Sequence, residues 1–170
     1  MQPSPSRIIY RTEPTSADAV AIERLVAATG FFTEEEVAIA RELVDERLAK
    51  GTASGYEFIL ADLDGILVGY SCYGPIAGTD HSYDLYWIAV SPNQQRGGIG
   101  RQILAETEAV IGQRTKARIY IETSGKSQYQ PTQSFYEKNG YVLEARLVDF
   151  YRDEDDKLIY VKAIKQSHRE

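Results

Sequence analysis

Residues 84–101 constrain the possible folds of this chain more than any other stretch does. They run DLYWIAVSPNQQRGGIGR, which combines an apolar β-branched and aromatic segment, a proline break and a glycine-rich segment. This order predicts a strand, a loop and the start of a helix. Glycines allow a backbone to approach a ligand closely, and a helix start offers unpaired N–H groups and the positive end of its dipole. The segment therefore predicts an anion site, and the arrangement favours a phosphate group.

Composition narrows the class of protein. The chain has 170 residues, 43% of them apolar, which suits one globular domain with its own core. Its single cysteine, Cys72, excludes an internal disulfide and a cysteine-based zinc site, and two histidines argue against a histidine-rich metal centre. We expect no bound metal.

The net charge of the chain indicates which classes of molecule it can bind. A net charge of −6 argues against nucleic-acid binding, which requires a basic face. It suits a cationic or amine substrate, although mild acidity can also serve solubility alone. No apolar run is long enough to span a membrane, and the first residues lack the apolar region of a signal peptide. We expect a cytoplasmic protein that binds neither nucleic acid nor membranes.

Hydrophobic periodicity and turn signals predict the order β-α-α-β-β-β-α-β-α-β-β. The predicted strands cover residues 7–12, 56–62, 66–73, 83–90, 118–122, 141–151 and 157–162. One helix starts at Thr15 or Ser16 and one at Thr33, one follows the glycine-rich loop, and one runs from Pro131 to Asn139. Hairpins flank one strand–helix–strand crossover, so we expect an α+β fold with a mixed sheet.

The expected domain organisation is simple, because no internal repeat or linker interrupts the pattern. We expect a disordered leader over residues 1–6, a single domain over residues 7–166 and a tail over residues 167–170.

Two common phosphate-binding motifs fail against this sequence. Gly125-Lys126-Ser127 matches the end of a Walker loop, but Tyr120 stands where its first glycine is required. A dinucleotide fingerprint needs a third glycine at Ile103, and the preceding strands are predicted to be antiparallel. The sequence therefore excludes both a Walker-type nucleotide site and a Rossmann-type dinucleotide site.

The remaining pattern resembles the GNAT superfamily (GCN5-related N-acetyltransferases). Gln95-Arg96-Gly97-Gly98-Ile99-Gly100 is similar to the Gln/Arg-x-x-Gly-x-Gly/Ala pyrophosphate loop of that family, and it follows an Ile-Ala-Val-Ser-Pro strand. Residues 135–141, FYEKNGY, resemble its second hallmark, and the predicted element order matches the family fold over nearly the whole chain. The resemblance implies a three-layer GNAT fold with about seven strands. It also implies acetyl-CoA as co-substrate.

The resemblance assigns cofactor contacts to three segments. The loop would bind the CoA pyrophosphate through Gln95, Arg96, Gly97, Gly98, Ile99, Gly100 and Arg101. The backbone of Ile88, Ala89 and Val90 would pair with the pantetheine arm as an added strand would. Many relatives carry Asn at the start of the last helix, where this chain has Tyr129-Gln-Pro-Thr132, so Thr132, Gln130 or a main-chain group would replace that contact.

The resemblance also implies catalytic roles. Tyr136 matches the tyrosine that acts as general acid toward the departing CoA thiolate. The base that removes a proton from the amine is either Asp84, at the start of the central strand, or Glu122 on the neighbouring strand, and either carboxylate can equally be a solvated charge. Cys72 has no histidine near it in sequence and is expected to be a packed structural thiol.

Aromatic residues are candidates for the acceptor pocket. Tyr86 shares a strand face with Asp84 under two-residue alternation. Phe31 and Phe32 fall in the helix–helix connection that often shapes this pocket in the family, although a separate hydrophobic cluster is an equal explanation.

The expected activity is transfer of acetyl from acetyl-CoA to a primary amine, by direct attack in a ternary complex. The acceptor is expected to be a small molecule. A protein N-terminus or lysine, or a non-catalytic acyl-CoA sensor on the same fold, are the alternatives. A homodimer through the final hairpin is also expected.

Overall fold

A computed structural model describes residues 7–167 as a mixed seven-stranded sheet with four helices, a three-layer α+β fold. The strands are β1 (Ile8–Arg11), β2 (Glu57–Leu63), β3 (Ile66–Pro75), β4 (Ser82–Val90), β5 (Ala117–Ser124), β6 (Val142–Arg152) and β7 (Asp155–Ile164). The helices are α1 (Ser16–Ala28), α2 (Glu34–Lys50), α3 (Ile99–Arg114) and α4 (Gln130–Lys138). Along the sheet the order is β1-β2-β3-β4-β5-β7-β6, and β4 and β5 are parallel. The predicted fold class and element order are confirmed.

The chain divides into two compact units within this fold. The first unit comprises residues 7–74 and 87–108, and the second comprises residues 75–86 and 109–167. The single domain expected over residues 7–166 stays a prediction. The expected leader over residues 1–6, and residues 168–170 of the expected tail, lie outside the described residues.

Local sequence signals account for the helix ends. The Thr33 hydroxyl accepts a hydrogen bond from the Glu36 backbone N–H at 3.2 Å, and the Glu36 carboxylate accepts one from the Thr33 N–H at 2.8 Å. This reciprocal capping box starts α2. Pro131 lies in the first turn of α4, and Gly140 follows its end with φ of +87°.

The core of the first unit lies between α1, α2 and the strands β2 and β3. Its buried residues include Ile22, Val26, Val44, Phe58, Leu60 and Tyr70. Leu48 follows Val44 at helical spacing but is 43% exposed, so the apolar face of α2 ends before its last turn. The last turn of α2 instead buries Arg47, whose guanidinium donates to the Tyr56 carbonyl and pairs with Glu13.

Helix α3 lies very close to the sheet in the first unit, and Gly69 of β3 makes this possible. A Cβ at Gly69 would lie 2.8 Å from Cδ1 of Ile103 and 3.1 Å from the carbonyl oxygen of Ala89. Ile103 is completely buried, so its side chain has little room to move. The absence of a side chain at residue 69 therefore fixes how α3, and the loop before it, sit on the strands.

Strand β5 is paired very differently on its two sides. With β4 it forms three parallel pairs, which end at Asp84 with Tyr120, whereas with β7 it forms eight antiparallel pairs along its whole length. The ladder between β6 and β7 is interrupted between Leu147 and Arg152, where Asp149 has φ of +52°. The closing turn is narrower than expected, because β7 already begins at Asp155 rather than at Lys157.

Substitution of Gly69 by Ala should destabilise the protein by about 1–3 kcal/mol, because the new methyl group overpacks the contact with Ile103. Ile103→Val removes the Cδ1 atom and should by itself cost about 0.5–1.5 kcal/mol. The double variant should be more stable than the sum of the two effects predicts, as measured by urea unfolding. Strict additivity would show that the two positions are not coupled.

Candidate active site

The glycine-rich loop presents an unpaired row of backbone donors. Within residues 7–167, none of the N–H groups from Arg96 to Arg101 donates a close hydrogen bond; the first bond of α3 runs from Gln102 N–H to the Gly98 carbonyl at 3.0 Å. Gly98 has φ of +81° and Arg96 has φ of +69°, both in the left-handed region. The loop therefore turns sharply into the N-terminus of a 16-residue helix.

This loop has the features of an anion site. Six consecutive N–H groups at a helix N-terminus can donate to phosphate oxygens, and the dipole of α3 adds a favourable potential. Arg96 and Arg101 are exposed and add positive charge. The side-chain amide of Gln95 donates to the Val90 carbonyl at 3.2 Å, which ties the loop to the end of β4.

The residues expected to align the pantetheine arm lie along the last part of β4. Ala89 is buried, and Ile88 and Val90 are partly buried. The Val90 carbonyl already accepts the hydrogen bond from Gln95, so this oxygen is shared with the loop.

An open pocket of about 210 Å³ lies in the second unit, at the point where the β4–β5 ladder ends. It is lined by Asp84, Leu85, Tyr86, Tyr120, Glu122 and Tyr151. Two carboxylates and three tyrosines therefore face one cavity. Such a set of groups can bind a cationic amine and accept a proton from it.

The two carboxylates have different surroundings. Asp84 is partly buried, and within residues 7–167 its carboxylate has no hydrogen bond or ion pair. Burial, and then the negative charge of Glu122, raise the pKa of Asp84, while Lys157 opposes the change. Glu122 is exposed and its Oε2 accepts a hydrogen bond from Nζ of Lys157 at 2.7 Å.

Tyr136 is a buried residue of α4, with 6% of its surface exposed. Its ring lies 6.2 Å from that of Tyr160 and 6.0 Å from that of Tyr141, measured between centroids. The Tyr160 hydroxyl donates to Glu137 at 3.0 Å, which fixes the neighbouring residue on the helix. Burial raises the pKa of Tyr136, so its hydroxyl keeps its proton at neutral pH.

The remaining candidates are spread over both units. Thr132 is partly buried in α4, and Gln130 is exposed at its start. In the first unit, Phe32 packs on Trp87 with centroids 4.8 Å apart and belongs to the border of the core, whereas Phe31 is exposed. Cys72 is completely buried, and burial raises the pKa of its thiol, so it is not a nucleophile.

Comparison with known proteins identifies the family. The model of the acetyltransferase (GNAT) domain matches residues 54–143. The chain is 45% identical to a protein from Desulfovibrio desulfuricans that is assigned to the GNAT family of acetyltransferases; the match covers 92% of this chain and 99% of that one, with a TM-score of 0.91. The chain belongs to the GNAT family. It is accordingly an acetyl-CoA-dependent N-acetyltransferase.

More distant GNAT structures share the fold. The ribosomal-protein-S18-alanine N-acetyltransferase of Escherichia coli has a TM-score of 0.72 at 17% identity, with 96% of this chain and 97% of that one covered. An aminoglycoside 6'-N-acetyltransferase complexed with coenzyme A has a TM-score of 0.73 at 16% identity, with 96% and 99% covered. No curated protein matches the chain significantly. GNAT enzymes with this fold thus include one named for a protein acceptor and one named for a small molecule.

Sequence reasoning missed three residues that line the pocket, Leu85, Tyr120 and Tyr151, and it also missed Lys157, which contacts Glu122. Tyr120 alternates with Glu122 on β5, so two-residue periodicity could have found it. Tyr151 lies in the interrupted part of β6, and Lys157 reaches Glu122 from β7. Neither has a local sequence signal, because both depend on the pairing of distant strands.

None of the described helices is both long and apolar enough to cross a membrane.

Gly98→Ala should weaken CoA binding about 5- to 30-fold, because a side chain at φ of +81° costs roughly 1–2 kcal/mol and the loop would relax away from the binding geometry. Gly97→Ala is the matched comparison, since Gly97 has no positive φ and its Cβ would meet only the Gln94 carbonyl at 3.6 Å. Isothermal titration with CoA measures both. Equal losses for the two variants would contradict the role given to the Gly98 backbone.

Proposed function

We propose that this GNAT enzyme acetylates the primary amine of a small cationic molecule, by direct attack in a ternary complex. The observation that supports the proposal most is the convergence of Asp84 and Glu122 on one pocket in a region also lined by tyrosine rings. Carboxylates attract the ammonium form of the acceptor, and aromatic rings favour its cationic and apolar parts. A cytoplasmic location stays a prediction from the sequence.

The proposed mechanism assigns proton acceptance to a carboxylate of the pocket and proton donation to Tyr136. Acetyl-CoA supplies the thioester carbonyl that the amine attacks. An ammonium has no free electron pair, so a carboxylate of the pocket, Asp84 or Glu122, first accepts a proton from the acceptor nitrogen. The Tyr136 hydroxyl donates a proton to the sulfur as the carbon–sulfur bond breaks. The attacking nitrogen then loses its second proton, which restores the Tyr136 hydroxyl, and the products are the amide, free CoA thiol and the proton held by the carboxylate.

A panel of amines tests the substrate class. Release of free thiol from acetyl-CoA should be fastest with small primary amines that carry a positive charge, and slower with neutral amines or with peptides. Preference for a peptide N-terminus or a lysine peptide would indicate a protein acceptor instead. Tight binding of acetyl-CoA with no thiol release for any amine would indicate an acyl-CoA sensor.

Tyr136→Phe should lower kcat about 10²-fold, the lower end of what general acid catalysis contributes, because the ring remains and only the proton donor is lost. The Kd of acetyl-CoA should change little, since the variant preserves the packing against Tyr141 and Tyr160. Steady-state rates and calorimetric titration separate the two effects. Unchanged turnover would exclude Tyr136 as the acid.

We also propose a homodimer formed through β6. This strand is last in the sheet order, so one of its edges has no neighbouring strand within residues 7–167. Six of its large apolar residues are exposed: Val142, Leu143, Leu147, Val148, Phe150 and Tyr151. An exposed apolar edge favours pairing with another chain.

Val148→Lys should convert the dimer to a monomer, because Val148 is 72% exposed on β6 and a lysine there would oppose strand pairing. Ile66→Lys is the control, since Ile66 is 69% exposed at the start of β3 in the first unit. Analytical ultracentrifugation gives the molecular mass of both variants. A wild-type monomer at every concentration would refute the dimer.

A further inference from the structure

We propose that Lys157 is a positioning residue of the acceptor pocket, which holds Glu122 as a fixed anion and thereby leaves Asp84 to accept the proton. This inference rests on the proposed function, because it assigns separate roles to the two carboxylates of that pocket. It adds a residue from β7 to a site whose lining comes from β4, β5 and β6.

The geometry places Lys157 behind the pocket rather than in it. Lys157 pairs with Ser124 of β5 and with Leu147 of β6, so its backbone is held by a strand on each side. Only 13% of its side chain is exposed, and its Nζ lies 4.3 Å from the centroid of the Phe150 ring. The ammonium is therefore held by a cation–π contact and by the Glu122 carboxylate, which limits the positions available to both charges.

The ion pair makes the two carboxylates unequal. Oε2 of Glu122 already accepts a hydrogen bond from an ammonium, whereas the Asp84 carboxylate has no such partner within residues 7–167. A carboxylate that is free of hydrogen bonds and partly desolvated is the better proton acceptor. Glu122 and Lys157 together carry no net charge, so ionised Asp84 leaves the pocket with one negative charge, which suits one ammonium.

The titratable residues that line the pocket surround Asp84 from three strands. Glu122 and Tyr120 face it from β5, Tyr151 faces it from β6, and Tyr86 lies on its own strand. Burial and Glu122 raise the pKa of Asp84, and Lys157 limits that rise. The cation thus does two things: it fixes Glu122, and it opposes the rise in the pKa of Asp84.

Removal of the cation should therefore change the pH dependence of the reaction. Protonated Asp84 cannot accept a proton, so kcat/KM falls as the pH drops below its pKa. In Lys157→Met the pKa of Asp84 loses the positive charge that lowers it, so the acidic limb of the profile should move to higher pH. Lys157→Arg retains the charge and should restore the wild-type limb.

The controls separate this role from a structural one. Phe150→Leu removes the ring contact with Lys157 but leaves the ion pair, and it should leave the limb in place. Asp84→Asn should abolish the limb and lower kcat about 10²-fold, whereas Glu122→Gln should mainly raise the KM of the amine. If Lys157→Met lowers kcat at every pH without moving the limb, or if Glu122→Gln rather than Asp84→Asn removes it, the proposal is wrong.

A second measurement does not need an acceptor. The carboxyl carbon of Asp84, observed by ¹³C NMR and assigned by its loss in Asp84→Asn, should titrate at higher pH in Lys157→Met than in the wild type or in Lys157→Arg. Identical titration in all three proteins would overturn the role of Lys157 even if some amine is acetylated. Conversely, if the Asp84 titration shifts as expected but no amine is acetylated, the role of Lys157 stands and the proposed function is wrong.

Discussion

The short parallel ladder between β4 and β5 is the constraint on which the proposed acceptor site depends. Three residue pairs hold the two strands together, and the pairing ends at Asp84 and Tyr120. Beyond that point no residue pairs join the two strands, while eight pairs with β7 hold β5 on its other side. The pocket therefore lies where the pairing of two strands stops, and its lining residues come from strands of the sheet.

The two carboxylates of the pocket show how the same functional group can differ in burial and in hydrogen-bond partners within one site. Asp84 and Glu122 carry the same functional group, yet one is partly desolvated and unpartnered and the other is bonded to a lysine held against an aromatic ring. Paired carboxylates with unequal surroundings are a common way to separate binding of a cation from proton transfer. The division here comes from three strands that are distant in sequence.

The fold was predictable from the sequence because its signals are local. The capping box at Thr33, the glycines of residues 97–100 and Pro131 each act within a few residues, and they account for the starts of three of the helices. The site was only partly predictable. The resemblance pointed to Asp84, Glu122 and Tyr136. Lys157 and Tyr151 could not be predicted, because they reach the pocket region through pairings between strands that are far apart in the chain. Tyr151 also depends on an irregularity in β6 that no local sequence pattern encodes.

The position of these residues along the chain has a consequence for how such an enzyme can change. The matched GNAT domain spans residues 54–143 and includes the glycine-rich loop, both pocket carboxylates and Tyr136, whereas Tyr151 and Lys157 lie beyond it on the β6–β7 hairpin. One wall of the proposed acceptor pocket and the lysine that contacts Glu122 are thus carried by this hairpin, which contributes no residue to the glycine-rich loop. The same hairpin carries Tyr160, whose ring packs against Tyr136, so a change of acceptor through the hairpin would have to preserve that contact.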